Sequence, residues 1–155
     1  MKISKLTDYG ILVLNQLART GVTLQSTEEI AAATALPLPT ARKVMRTLVD
    51  SGLVLAKRGS RGGYRLSRSP ARIPLLSIVE AFEGKVNLTE CSDETVRCDI
   101  QDQCSLAGNW GGINFVVKTV LAGISLNDIR NPQSLSKMMA SFQPSNEQIQ
   151  LVSID

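Results

Sequence analysis

LPLPTARKVMRTLVDSGLVLAKRGSRGGYRLSR, residues 36–68, is the stretch that decides the fold. Pro39 suits a first helical turn, where its missing N–H forfeits no hydrogen bond. Ala41, Val44, Met45, Leu48 and Val49 then recur at helical spacing and define one apolar face. Thr40, Lys43, Arg46, Thr47 and Asp50 fall largely on the opposite face, and Gly52 supplies a stop. The pattern then changes period. An apolar-rich strand is predicted over 53–57, a turn over 58–63 and a second strand near 64–67. Gly59, Gly62 and Gly63 give that turn its conformational freedom.

Upstream, Leu6, Tyr9, Val13 and Leu17, with Ile11, Leu14 and Ala18 beside them, outline a helix to about residue 19. Ser4 is its candidate N-cap and Gly21 its stop. Ser26 followed by Glu29 has the spacing of a capping box. The short Ala-rich helix that it opens ends near Leu36, because Pro37 discourages continuation. Two short helices joined by a tight turn, the second basic on its outer face, read as a helix-turn-helix. The β-ribbon that follows is its wing.

Charge supports this reading. Residues 1–72 carry 12 Lys or Arg against 4 carboxylates, whereas residues 73–155 carry 5 against 10. Within 42–72 there are nine basic residues and one acid, Asp50. Such a surface suits double-stranded DNA, since neutralising phosphates releases counterions. Thr40 and Lys43 are placed near base edges and Arg42 and Arg46 at phosphates. Arg58, Ser60, Arg61 and Gly62 form the wing tip, which Lys57 and Arg65 extend. GSRGG lacks the spacing of a phosphate-binding P-loop. The chain has no histidine, which removes the commonest general base and argues against an enzyme. No stretch has the ~18 consecutive apolar residues of a membrane span, and MKISKLTDYG has no signal-like apolar run. The expectation is a soluble cytoplasmic protein.

The acidic half begins with a short amphipathic helix, IPLLSIVEAFEG, ended by Gly84. A long helix over about 105–123 carries Leu106, Trp110, Ile113, Val117, Val120, Leu121 and Ile124. Its apolar stripe needs a cover, and the same helix of a second copy supplies one in a homodimer. Trp110, Ile113, Val117, Val120 and Leu121 are the candidate dimerisation residues. Packing back on Val13 and Leu17 is the alternative, and both can hold on different faces. The expected class is mainly α with a small β-hairpin. A winged helix-turn-helix occupies 1–84, a cysteine-containing loop 85–104, a dimerisation helix 105–130 and a mobile tail 131–155.

ECSDETVRCDIQDQC, residues 90–104, holds every cysteine of the chain. Neither gap between Cys91, Cys98 and Cys104 is a C-x-x-C dithiol. Five acids against Arg97 disfavour free thiolates, whereas a bound cation or cationic cluster stabilises them. A closed zinc site calls for four N or S ligands, and only three thiols are present. Iron–sulfur clusters are built on cysteine thiolates. Three buried structural cysteines, a structural zinc and a bare thiol redox switch are the competing readings.

With those residues in place, the chain resembles the Rrf-type winged-helix regulators, the family of the IscR-like and NsrR-like proteins. The resemblance covers roughly 1–125 and rests on the helix-turn-helix, the RGSRGGYRL wing, the three-cysteine loop and the long helix. ISKLTDYGILVL, GGYRLSR, LTEC and NWGGIN are similar to the branch that regulates SUF-type iron–sulfur assembly genes. The resemblance implies a dimeric repressor of iron–sulfur assembly genes, with activation as a second role and a nitric-oxide or redox sensor of the same family as the alternative. It also implies a cluster on Cys91, Cys98 and Cys104. IscR-like members have a histidine three residues after the third cysteine, where this chain has Ala107, so their 2Fe–2S ligation does not carry over. NsrR-like members complete a 4Fe–4S cluster with an Asp from the partner's first helix, and Asp8 matches that position. The expected cofactor is therefore 4Fe–4S with Asp8 as fourth ligand. A 2Fe–2S cluster, and Glu90, Asp102 or an exogenous group as ligand, are the alternatives.

Overall fold

The computed structural model describes residues 3–89, 104 and 106–141. Its elements run α1 Lys5–Thr20, α2 Thr27–Thr34, α3 Leu38–Asp50, β1 Val54–Lys57, β2 Gly63–Leu66, a 3-10 turn Pro70–Arg72, α4 Leu75–Glu83, α5 Ala107–Gly123, α6 Leu126–Arg130 and α7 Pro132–Ser141. The fold is mainly helical with one antiparallel hairpin, as the sequence pattern predicts.

Local chemistry sets the first three helices. The Ser4 hydroxyl accepts the Thr7 N–H at 3.4 Å, and α1 ends at Gly21 with φ 63°. The capping box of α2 closes in both directions: Ser26 Oγ accepts the Glu29 N–H at 3.2 Å, and Glu29 Oε2 accepts the Ser26 N–H at 2.7 Å. Such caps stabilise a helix by about 1 kcal/mol. Ala35, left-handed at φ 54°, turns the chain into α3. Ala41, Val44, Met45 and Leu48 of α3 are buried, which is the face drawn from the sequence, and Val49 is half-buried.

These residues meet Val13, Leu14 and Leu17 of α1, Ile30 of α2, Leu53 and Val54 at the hairpin, and Ile73 and Ile78 around α4. Gly10 lets α1 and α4 approach closely, since a Cβ there would stand 2.3 Å from the Phe82 ring. The hairpin pairs Val54 with Leu66 and Lys57 with Gly63. Its second strand also bridges Gln25, whose N–H donates to Tyr64 O at 3.1 Å while Tyr64 N–H donates to Gln25 O at 2.8 Å. The wing is thereby fastened to the chain entering α2. β1 starts one residue later than the expected 53–57, and β2 lies one residue earlier than the expected 64–67; Gly63, at φ 147°, lies so close to the Gln25 backbone that a Cβ would meet its oxygen at 2.8 Å.

The long helix expected over about 105–123 is α5, which stops at Gly123, where Ile124 is extended with ψ 124°. The stretch assigned with it to dimerisation, up to residue 130, holds a further short helix. Ser125 then caps α6 in a second capping box with Asp128. The break brings the chain home: Leu75 N–H donates to Ile124 O at 2.7 Å, Leu126 N–H donates to Ile73 O at 2.8 Å, and the Leu126 side chain is fully buried in the core. Arg130 Nε adds a bond to Asn15 Oδ1 of α1 at 3.0 Å. Within the expected tail, 131–155, Pro132–Ser141 form helix α7; the remainder lies outside the described residues. The polar composition obscured a helix whose Leu135 and Met138 are half-buried.

At the other end of the core, Glu83, the last residue of α4, receives the start of α1. Its Oε1 accepts the Ser4 N–H at 2.8 Å and the Thr7 hydroxyl. The Thr7 and Ser4 hydrogen bonds hold its carboxyl below the usual carboxylate range. A depressed folded-state pKa means that the contribution is complete above the unfolded value of about 4.3 and is lost as pH falls through the folded value. Glu83→Gln is therefore expected to melt lower at neutral pH and to lose less on acidification. Melting temperatures recorded from pH 7 down to 3 check this, and parallel curves for the two proteins would contradict it.

Candidate nucleic-acid interface

The core face of α3 leaves its other face outward. Arg42, Lys43 and Arg46 are exposed, and Thr40 and Thr47 half-buried. Arg42 Nη2 pairs with Glu28 Oε1 of α2 at 3.2 Å, both side chains over 60% exposed. Glu28 titrates below its ordinary range, chiefly through its backbone hydrogen bond and then through Arg42. Arg46 lies 3.9 Å from Asp50 one turn along. Exposed pairs of this kind contribute about 0–1 kcal/mol, so either arginine can exchange its carboxylate for a phosphate at small cost.

The wing projects beside this helix with Lys57, Arg58, Ser60, Arg61 and Arg65 all exposed. An open groove lies between them, bounded by Thr27, Arg42 and Arg46 on one side and Ala56 and Tyr64 on the other. Helix, groove and ribbon together form a cationic surface whose only carboxylates among those described, Glu28 and Asp50, are already engaged by arginines. Two members of this surface escaped sequence reasoning. Glu28 carries no motif of its own, and Tyr64 reads as a strand residue.

Gly62 has a structural task at the wing tip. Its N–H donates to Gly59 O at 2.9 Å. A Cβ at this position would stand 2.2 Å from Lys57 O and 2.8 Å from Gly59 O, both backbone atoms that cannot swing aside. Overpacking of this sort costs about 1–3 kcal/mol. Gly62→Ala is expected to reshape the tip and weaken DNA binding roughly three- to tenfold, each tenfold being about 1.4 kcal/mol, with helix content unchanged. DNA titration beside circular dichroism measures both, and unchanged affinity would contradict a wing contact.

The candidate metal ligands are only partly placed. Cys91 and Cys98 lie outside the described residues. Cys104 is half-buried and free, three residues before α5. Asp8 is exposed in the first turn of α1, beside the Thr7 that Glu83 holds. No group of three or more Cys, Asp or Glu able to hold a metal is assembled among the described residues. The donor chemistry itself, three thiols and no imidazole, fits a thiolate-built cluster better than a nitrogen-ligated metal.

The candidate dimerisation residues do not form one exposed stripe. Val117, Val120 and Leu121 are half-buried, while Trp110 and Ile113 are 38% and 47% exposed. α5 turns its Asn114 side inward, and the outward side shows Ile113, Val116 and, at 71% exposure, Phe115. Val116 and Phe115 lie off the spacing used to draw the stripe. No described helix is long and apolar enough to cross a membrane.

A family model described as Rrf2, iron-dependent transcriptional regulator, matches residues 3–132. The chain is 30% identical over 143 residues to the HTH-type transcriptional regulator NsrR of Bacillus subtilis (strain 168), covering 90% of this chain and 97% of that protein. It is 26% identical over 107 residues to the HTH-type transcriptional regulator IscR of Xenorhabdus nematophila, covering 69% and 65%. The solved structure of CymR, described as the global cysteine regulator of B. subtilis, superposes with a TM-score of 0.63 at 28% identity, over 83% of this chain and 95% of that one.

Proposed function

This chain belongs to the Rrf2 family of helix-turn-helix transcriptional regulators, and from that premise we propose that it binds an operator as a homodimer and reports iron–sulfur status through its three cysteines. Regulators of this family are not enzymes, and no catalytic role is assigned. The observation that carries the DNA-binding reading is the joint outward display of Arg42, Lys43 and Arg46 on α3 and of Arg58 and Arg61 on the wing. Thr40 and Lys43 are assigned to base edges, Arg42 and Arg46 to phosphates, and Ser60 and Gly62 to wing-tip geometry. The outward side of α5 is assigned to the second copy, because Ile113, Phe115 and Val116 stand exposed side by side there.

Cys91, Cys98 and Cys104 would hold an iron–sulfur cluster, with Asp8 of the partner subunit as the fourth ligand and 4Fe–4S as its form. Such a group, when bound, supplies a centre responsive to iron and oxidants. The chain's own residues do the coupling. Glu83 holds the first turn of α1, hence the backbone beside Asp8, to the helix end from which the cysteine segment departs. α1 in turn packs on α3 through the shared core, so a shift at that end bears on the recognition helix. The regulated genes are proposed to be those of SUF-type iron–sulfur assembly, from the similarity of ISKLTDYGILVL, GGYRLSR, LTEC and NWGGIN to that branch.

Fluorescence anisotropy with the promoter of the SUF-type genes of the same genome tests this. Protein prepared without oxygen should bind it at nanomolar concentration and change affinity when stripped of metal. Equal, salt-sensitive binding to any duplex in both states would leave a DNA binder without this sensing role.

A further inference from the structure

We propose that Asn114 is a positioning residue that fixes the start of the cysteine segment to α5 and so sets the reactivity of the thiols and the lifetime of any group they hold. The last clause rests on the cluster reading above. Asn114 is 5% exposed, one of two buried polar residues described, in a helix whose adjacent Ile113 and Phe115 face solvent. An amide in such a place is unfavourable unless its polar atoms are bonded. Here they are. Its Oδ1 accepts the backbone N–H of Leu88 at 3.2 Å, and its Nδ2 donates to Asn87 Oδ1 at 3.4 Å. Lys118, one turn further along α5, donates its Nζ to the same Asn87 oxygen at 3.4 Å.

Packing alone would favour leucine here, which is the better helix former and needs no partner. What asparagine adds is register: its acceptor selects one backbone N–H, that of Leu88, three residues ahead of Cys91. Val86, next to Asn87, is buried, and its N–H donates to Glu80 Oε1 at 3.4 Å. The far end of the segment is tied to the same helix by continuity, because Cys104 precedes Ala107 by three residues. Both ends of the cysteine segment therefore answer to α5, the helix assigned to the dimer, and Asn114 is the tie that continuity does not provide.

Asn114→Leu removes the acceptor at similar volume, and Asn114→Asp retains it. In metal-free protein, the Leu variant should exchange the Leu88 amide about tenfold faster, as loss of a buried hydrogen bond implies, and its thiols should alkylate faster than wild type. In anaerobically reconstituted protein it should release iron to a chelator several-fold faster. The Asp variant keeps the Leu88 acceptor but loses the donor to Asn87 and buries a charge, so it should fall between wild type and the Leu variant on all three readings. If the Leu variant does not fold, by circular dichroism, Asn114→Ala carries the same expectations. Faster exchange with wild-type alkylation and iron release would overturn the proposal, as would equal loss in the Leu and Asp variants. If wild-type protein takes up no iron and sulfide, the cluster reading fails on its own, and the exchange and alkylation readings still decide the role of Asn114.

Discussion

Alanine at both Lys43 and Arg46 is expected to weaken operator binding by roughly 10- to 100-fold and to lower the salt slope by about one to two. Both side chains leave the solvent face of α3, whose opposite face is fully committed to the core. Their removal takes nothing from that packing. Arg46 gives up only a 3.9 Å pairing with Asp50, in which both groups are more than 70% exposed. The loss should therefore appear in DNA affinity and leave the melting temperature and metal content at wild-type values. Anisotropy titrations at several salt concentrations, on operator and on unrelated duplex, measure it. A base-edge role for Lys43 predicts that the operator loses more than the unrelated DNA. An unchanged affinity would mean that α3 does not face the duplex.

Leu126→Ala is expected to destabilise the protein by about 2–5 kcal/mol, the range for a fully buried leucine. At roughly 2–4 °C per kcal/mol for a chain of this size, the melting temperature falls by on the order of 10 °C. Leu126 is 0% exposed and sits among Val13, Leu17, Ile73 and Ile78, although it lies about fifty residues beyond the last two and more than a hundred beyond the first two. It pins the end of α5 to the DNA-binding core, so its truncation should also loosen the assigned dimer helix and weaken operator binding. Met139→Ala, at a 70% exposed position on α7, serves as the control and should change stability by less than about 0.5 kcal/mol. Thermal unfolding of the two variants side by side decides the matter. Equal, small effects would show that α6 does not dock.

What could be read from the sequence was what local chemistry writes. The caps Ser4 and Ser26, the stops Gly21 and Gly84 and the buried positions 41, 44, 45 and 48 all follow from neighbours within a turn or two. The hairpin was legible to within one residue. Its second strand also bridges Gln25, nearly forty residues away, a contact that no pattern within the hairpin reports. α6 had a local signal that was passed over, the Ser125–Asp128 capping box, but its helicity is sustained by Leu126 entering a distant core. The α5 stripe mixed inward and outward positions because the helix is apolar on nearly all sides. Its inward side is marked instead by one buried polar residue, Asn114, bonded to Leu88 across twenty-six positions. Exposed cationic residues of α3 and the wing were found because charge survives into the folded surface. Glu28 and Glu83 were not, since their partners Arg42 and Thr7 come from other elements.

The most direct measurement is the iron and acid-labile sulfide content of the anaerobically purified protein, taken with its absorption spectrum and with Cys98→Ala alongside. A brown wild-type protein with near-equal iron and sulfide, approaching four of each per chain, beside a colourless Cys98→Ala protein, is the expected result. A colourless wild-type protein that cannot be reconstituted, or one carrying zinc, would contradict the sensing role and leave a winged-helix DNA binder whose thiols serve another purpose.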